Sequence, residues 1–291
     1  MKSGYVSLIG RPNAGKSTLM NALVGEKVAI TSDKPQTTRK KILGVANVPG
    51  GQIAFLDTPG IHKPMHQMNQ RMVDSALDAL KEADVTVLVV DVTEKTGSGD
   101  HYVLDLLQKA RRPVILALNK IDRIKKVELL PLMEGYAKAL SFEAIVPISA
   151  FGKDGLEPLT QEILRLLPEG DALFDEDYLT DQTMRSMSAE LVREKVLRYT
   201  RDELPYTTAV VIDQFEDAER EGGLTKIYAT ILVENESQKP IVIGKGGSMI
   251  KRIGTDARMD LQRLLGGKVF LELHVKVKSD WRDDERVLDQ L

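Results

Sequence analysis

The chain has 291 residues and is 42% hydrophobic, enough for two domains of ordinary size, each with its own core. It has no cysteine, which excludes disulfides and thiolate metal sites, and its four histidines (His62, His66, His101 and His274) lack ligand spacing and read as ordinary polar residues. A formal net charge of −3 excludes a chain-wide electrostatic match to an acidic partner; no apolar run approaches the roughly 20 residues that span a bilayer, and a first strand that starts almost at once leaves no room for a signal peptide, so a cytoplasmic location is expected.

Residues 1–168 alternate short apolar runs with helical patterns. The runs are "YVSLI", "ILGVANV", "QIAFLD", "VTVLVVD", "PVILALN" and "EAIVPIS". "VTVLVVD" is apolar on both faces, as in a parallel sheet covered by helices on both sides. "ILGVANVPGGQIAF" predicts a hairpin about its "PGG" turn, hence one antiparallel edge. The helix "LEPLTQEILRLL" closes this part at Pro168. The expected fold is a doubly wound α/β domain.

Residues 169–183, "EGDALFDEDYLTDQT", hold six acids and no base, and an acidic linker is expected over 169–185. "SAELVREKVLRYTRDEL" then predicts an amphipathic helix stopped by Pro205. Two strands follow, "TTAVVIDQFE" and "LTKIYATILVE", then a short helix, a glycine loop and a long helix ended by Gly266-Gly267. In the last strand Val269, Leu271, Leu273, Val275 and Val277 face one way. The order helix, strand, strand, helix, helix, strand predicts a smaller α+β domain over 186–291.

"GRPNAGKS", Gly10 to Ser17, follows a strand and opens a helix. That is the context of a phosphate-cradling loop. Gly10 and Gly15 let the backbone wrap a phosphate, and the helix N-terminus faces the negative charge. Lys16 bridges β- and γ-phosphates and Ser17 ligates Mg²⁺. Three more signals end successive strands. In "FLDTPG", Asp57 is placed to hold Mg²⁺ through water, and the Gly60 N–H to meet the γ-phosphate. In "LNKID", Asp122 accepts the N1–H and 2-amino group of guanine, Asn119 meets the opposite edge, and the Lys120 stem covers the ring. In "ISA", Ser149 and Ala150 offer a backbone N–H to guanine O6. Together they select GTP, because ligands sit at the carboxyl edge of such sheets. The expected GTP-binding set is Gly10, Arg11, Pro12, Asn13, Ala14, Gly15, Lys16, Ser17 and Thr18, then Asp57, Thr58, Pro59 and Gly60, then Asn119, Lys120, Asp122, Ser149 and Ala150.

These motifs, in this order, resemble the translation-factor-related GTPases. "KVAITSDKPQTTRKKILGV", "DTPGIHKP" and "QKPIVIGKGGSMIKRIGTDARMDLQRLLGGKVFLELHVKVK" are similar to the Era family, bacterial GTPases that assist small ribosomal subunit assembly. The likeness covers essentially the whole chain. It departs at Pro240, where glycine is expected, and at Lys40, where histidine is expected. The resemblance makes Thr38 the switch threonine that completes the Mg²⁺ shell, alongside Ser17 and Asp57. Catalysis is expected from Lys16, Thr38 and Gly60. Ile61 stands where signalling GTPases carry a water-orienting glutamine, so slow turnover, faster with a partner bound, is expected. Arg11 and Arg39 are the nearest arginines, each more readily read as a solvated charge than as a finger. Asn13 invites a K⁺ ion beside the phosphates, as in some related GTPases.

The second glycine loop, "IVIGKGGSMIKRIG", lacks both the G-K-[ST] ending and the third glycine of G-x-G-x-x-G. It matches G-x-x-G, Gly244 to Gly247, the loop with which KH domains clamp single-stranded RNA. Its surroundings resemble the type II KH arrangement. Residues 239–278 carry nine Lys/Arg against three Asp/Glu, a balance of +6 that suits phosphate neutralisation. Ile243, Gly244, Lys245, Gly246, Gly247, Lys251 and Arg252 are the expected RNA contacts. The family resemblance implies binding near the 3′ end of small-subunit ribosomal RNA, and to the 30S particle, by a monomer. Two other readings stay open at this stage. One is an RNA-binding chaperone with little turnover. The other is a regulatory GTPase held peripherally, through its basic patch, on the inner face of the cell membrane.

Overall fold

The computed structural model describes residues 1–61, 67–220 and 222–291. A second mobile switch is expected from "DTPG" through "IHKPMHQMN"; the part of it on residues 62–66, with His62 and His66, lies outside the described residues. The chain forms two compact units with their main boundary between Asp181 and Gln182.

The first unit is built on six strands: β1 Lys2–Ile9, β2 Ile42–Val48, β3 Gly51–Asp57, β4 Val85–Asp91, β5 Val114–Asn119 and β6 Ala144–Ile148. Its helices are α1 Lys16–Val24, α2 Gln67–Glu82, α3 Ser98–Ala110, α4 Leu129–Ala139 and α5 Leu156–Leu166. The strand order is β2-β3-β1-β4-β5-β6, antiparallel only between β2 and β3. The hairpin forms because Gly50 takes a φ of 90° at the turn, a conformation that costs glycine little. Strand residues alternate between two cores. Val85, Val87 and Val89 pack with Leu19 and Met20 of α1 and Leu159 and Ile163 of α5. Leu88 packs with Ala76 and Leu80 of α2 and Val103 and Leu107 of α3. This two-sided burial brings the carboxyl ends of β1, β3, β4, β5 and β6 to one edge of the sheet.

The stretch expected to be a linker is not a spacer over 169–181. It straps onto the first unit. Gln52 is 1% exposed; its Oε1 accepts from the Leu173 and Phe174 N–H groups, and its Nε2 donates to Phe174 O. Leu179 O accepts from Val45 N on the edge strand. Phe174 stacks on Tyr178 at 4.9 Å and meets Tyr5 edge-on. The acids are exposed, and backbone groups and two aromatics make most of the attachment, with Asp181 Oδ1 also accepting the Leu43 N–H at 3.3 Å, so charge counting alone reads the segment as free.

The second unit contains α6 Met184–Tyr199, α7 Leu204–Thr207, β7 Ala209–Glu216, β8 Leu224–Val233, α8 Lys239–Ile243, α9 Ser248–Leu265, β9 Lys268–Val277 and α10 Glu285–Leu288. The order β7-β8-β9 pairs β7 antiparallel and β9 parallel to β8. Pro205 does not stop α6. That helix ends at Tyr199, and Pro205 sits at the start of α7, where its missing N–H costs nothing. The C-terminal residues are tied in by Trp281, fully buried with Nε1 donating to Thr207 O, and by a two-pronged Arg282–Glu234 pair. Among the described residues no helix is long and apolar enough to cross a membrane.

Candidate functional site

The first loop leaves β1 at Ile9 and enters α1 at Lys16. A Cβ at Gly10 would stand 2.3 Å from Val89 O, and one at Gly15, where φ is 97°, would stand 2.2 Å from Asn119 Nδ2. Only glycine permits so close an approach to the neighbouring strand ends. No side chain caps α1, so its first N–H groups remain for an anion.

Three side chains from distant segments converge below this loop. Ser17 Oγ donates to Asp57 Oδ2 at 2.6 Å, Thr38 Oγ1 donates to the same oxygen at 3.2 Å, and the two hydroxyls lie 2.9 Å apart. Asp57 is fully buried, and its Oδ1 has no hydrogen-bond partner among the described residues. Burial raises the Asp57 pKa, against the opposing pull of Lys16 and the two hydroxyls. Two hydroxyls beside a carboxylate with an unpartnered buried oxygen form a hard-oxygen donor set that fits Mg²⁺. Lys16, 6% exposed, donates from Nζ to Gly10 O at 3.2 Å and Arg11 O at 3.0 Å. Its pKa is lowered to about 8 by burial, against the attraction of Asp57.

At the other end of the edge, Asp122 Oδ1 accepts from Ser149 Oγ at 2.6 Å. Its side chain is 43% exposed, so the carboxylate is both fixed and reachable. Asn119 is 2% exposed; its Nδ2 donates to Ala14 O at 2.8 Å and its Oδ1 accepts from Ala150 N at 3.0 Å. It braces the phosphate loop against the Ser149–Ala150 turn. The Ala150 N–H expected at guanine O6 is thus already engaged, so an O6 contact must share it with Asn119 or turn the amide. Lys120 Nζ donates to Asn13 O at 2.9 Å and pairs with Asp91. The sequence reading missed Asp91. Burial raises its pKa, but hydrogen bonds from Lys120 and Thr93 outweigh this and hold it below its ordinary value. The available signal was its place as the acid ending the apolar run "VTVLVVD".

Not every expected contact gathers at the edge. Thr58 is fully buried and donates its hydroxyl to Leu8 O at 2.8 Å, so that hydroxyl braces β1 and does not face a ligand. Arg11 Nη1 is paired with Asp100 Oδ2 at 3.0 Å, and Asp100 also accepts the Gly97 N–H at the start of α3. The guanidinium is therefore held by α3 rather than by the phosphate cradle. Ile61 is 3% exposed and packed in the core, which removes it from any part in positioning water. A Cβ at Gly60 would stand 2.5 Å from Pro12 N, so the two loops touch there.

The second loop lies between α8 and α9. Gly244, Gly246 and Gly247 have φ values of 75°, 60° and 78°. Three positive φ values within four residues explain the glycine content. Lys245 and Gly246 are exposed at its tip, and α9 continues with exposed Lys251 and Arg252. Arg252 lies over the Tyr199 ring at 4.2 Å, which holds its guanidinium in place. Val242 is fully buried, whereas Ile241 is 50% exposed. Of the "IVI" run, Val242 thus faces the core, Ile241 faces solvent and Ile243 is half-buried.

A doubly wound sheet with a G-x-x-x-x-G-K-S cradle and the DTPG, NKID and SA turns on one edge defines a P-loop GTPase, here carried with a KH unit. Residues 5–120 match the family model described as 50S ribosome-binding GTPase, and residues 203–282 match the KH domain. The chain is 50% identical over 290 residues to GTPase Era of Geobacter metallireducens, covering 100% of this chain and 97% of that protein. It is 46% identical over 288 residues to GTPase Era of Heliobacterium modesticaldum, covering 99% and 96%. The chain belongs to the Era family of GTPases. It is also similar to a variant of Aquifex aeolicus Era bound to GDP·AlF4⁻, at 42% identity and a TM-score of 0.95, covering 100% of this chain and 98% of that one. A structure of Era with MgGDPNP and nucleotides 1506–1542 of 16S ribosomal RNA gives 43% identity and a TM-score of 0.95, with the same coverage.

Proposed function

We propose that this chain is a GTP-driven switch that clamps single-stranded RNA at the 3′ end of the small-subunit ribosomal RNA and assists assembly of that subunit. The carrying observation is the convergence of Ser17, Thr38 and Asp57 in a chain that also presents an exposed G-x-x-G tip on a basic helix. The reading assigns nucleotide to residues 1–168 and RNA to residues 186–291.

Ser17, Thr38 and Asp57 would hold Mg²⁺, which when bound neutralises charge on the β- and γ-phosphates. Lys16 would exchange its two loop carbonyls for phosphate oxygens, and the Gly60 backbone would meet the γ-phosphate. Water attacks the γ-phosphorus, the bond to the β–γ bridging oxygen breaks, and GDP and phosphate leave. Ile61 supplies no hydrogen bond to that water, so turnover is slow until a partner or ion completes the site. Thr38, on the loop between α1 and β2, would link that loop to nucleotide state by adding its hydroxyl to the donors for the ion. In the second unit, Lys245, Lys251 and Arg252 would neutralise phosphates while the glycine tip allows close backbone approach.

The test is to crosslink the GTP-loaded protein in cell lysate and sequence the bound RNA, with a parallel turnover assay. Enrichment of the 3′ end of the small-subunit RNA together with measurable GTP hydrolysis is expected. Hydrolysis without that enrichment would overturn the RNA assignment, and RNA enrichment without hydrolysis would leave a chaperone.

A further inference from the structure

Tyr199 ends α6 and meets two side chains of opposite charge on α9. The Arg252 guanidinium lies 4.2 Å from the centre of its ring, and its hydroxyl donates to Asp256 Oδ2. Asp256 follows Arg252 by four residues on α9, the spacing at which a helix lets an arginine and an aspartate pair. Instead the tyrosine engages the carboxylate, and among the described residues Arg252 forms no ion pair. A second guanidinium, that of Arg198, lies 5.8 Å from the same ring. Both arginines are exposed, so the cluster presents an excess of positive charge to solvent.

Arg252 stands on α9 about 7 Å along the helix axis from Gly247, the end of the glycine tip. A long side chain gives up rotamer freedom when it meets a phosphate. A ring beneath its planar fork removes part of that cost in advance. We propose that Tyr199 is a positioning residue for RNA binding: it seats the Arg252 guanidinium and keeps Asp256 from neutralising it, so that the charge stands ready for an RNA phosphate beyond the tip. This rests on the assignment of RNA to the G-x-x-G loop and α9. Tyr199 acts through Arg252, since its hydroxyl is engaged by Asp256 and its ring by the guanidinium.

The experiment measures binding of the GTP-loaded, full-length protein to a single-stranded RNA oligonucleotide copying the 3′ end of the small-subunit ribosomal RNA, at several salt concentrations, with thermal melts alongside. Arg252→Ala should weaken binding roughly tenfold, as for a charged hydrogen bond. It should also reduce the slope of log affinity against log salt by about 0.7, one phosphate on a single strand. Tyr199→Leu should weaken binding about threefold or more, the size of a cation–ring contact, and should add nothing in a protein that already carries Arg252→Ala. Tyr199→Phe keeps the ring and frees only a weak helical ion pair, so it should bind within about twofold of the unaltered protein. Arg252→Lys changes an exposed residue and keeps the charge but not the stacking fork; it should lose about as much as Tyr199→Leu, and it tests the proposal even if Tyr199→Leu does not fold. Full affinity in Arg252→Ala or Arg252→Lys, full affinity in a folded Tyr199→Leu protein, or losses from Tyr199→Leu and Arg252→Ala that simply multiply, would overturn the positioning role. Failure of the unaltered protein to bind the oligonucleotide would instead defeat the RNA assignment beneath it.

Discussion

Ser149 donates its hydroxyl to Asp122 Oδ1 across 2.6 Å, while its own backbone N–H donates to Asp154 O. The serine is 1% exposed and the aspartate side chain 43% exposed, so a buried donor aims a reachable acceptor. Asp122→Asn should exchange preference from GTP toward xanthosine triphosphate, because the amide donates where the carboxylate accepted. Ser149→Ala should keep guanine selectivity but weaken GTP by about tenfold, since one charge-assisted hydrogen bond is lost. Competition binding with the two nucleotides checks both, and undiminished GTP selectivity in Asp122→Asn would remove the base-site assignment.

Lys16 gives a pH dependence with a definite sign. Its pKa falls from 10.5 to about 8 on folding. The unfolded chain therefore holds this proton through a range where the folded chain has lost it. The burial cost of the charged amine is fully present below pH 8, and the nucleotide-free protein gains stability as pH rises from about 8 toward 10.5. Phosphates restore the charge. Nucleotide binding above pH 8 should take up a proton, and GDP affinity should fall as pH rises from 8 to 9. Calorimetry at pH 8.5 in buffers of different ionisation enthalpy reads the uptake directly, and equal apparent enthalpies would contradict it.

Asn13 takes a φ of 63°, and its carbonyl is fixed by Lys120. If its side chain helps seat a monovalent cation beside the phosphates, GTP hydrolysis should run faster in K⁺ than in Na⁺, and Asn13→Ala should reduce the difference. Equal rates in the two salts for the unaltered protein would remove the cation from the scheme.

Lys245 and Gly246 allow a sharp test of the RNA clamp. Replacing both with aspartate puts two negative charges at the exposed tip. A Cβ at Gly246 meets nothing within 4 Å. Its φ of 60° is a conformation that aspartate adopts more readily than most residues. The fold should therefore lose only about 1 kcal/mol. Single-stranded RNA affinity should fall severely while GTP binding survives, and RNA binding by the unaltered protein should weaken as salt rises. A melt confirms folding; unchanged RNA affinity in a folded variant would leave the basic face of α9 as the place to look.

The six strands, their hairpin edge and the four nucleotide motifs were legible because each is a local pattern. A buried strand is an unbroken apolar run, and a phosphate cradle is a glycine-bearing turn between strand and helix. The G-x-x-G loop was legible for the same reason, since Gly244, Gly246 and Gly247 all stand at positive φ.

The end points of the long hydrogen bonds were decided only by tertiary structure. Asn119 spends its amide on Ala14 and Ala150, Asp91 holds Lys120, Thr58 turns to Leu8, and Arg11 goes to Asp100. The acidic stretch after Pro168 became a strap because Gln52, a polar residue inside a strand, receives its backbone. Sequence spacing fixes which residues reach a sheet edge, since strand and helix geometry repeat along the chain. It does not fix which polar atoms pair there: those partners lie far apart in sequence, and burial forces each to find whichever acceptor or donor the packed strands bring within reach.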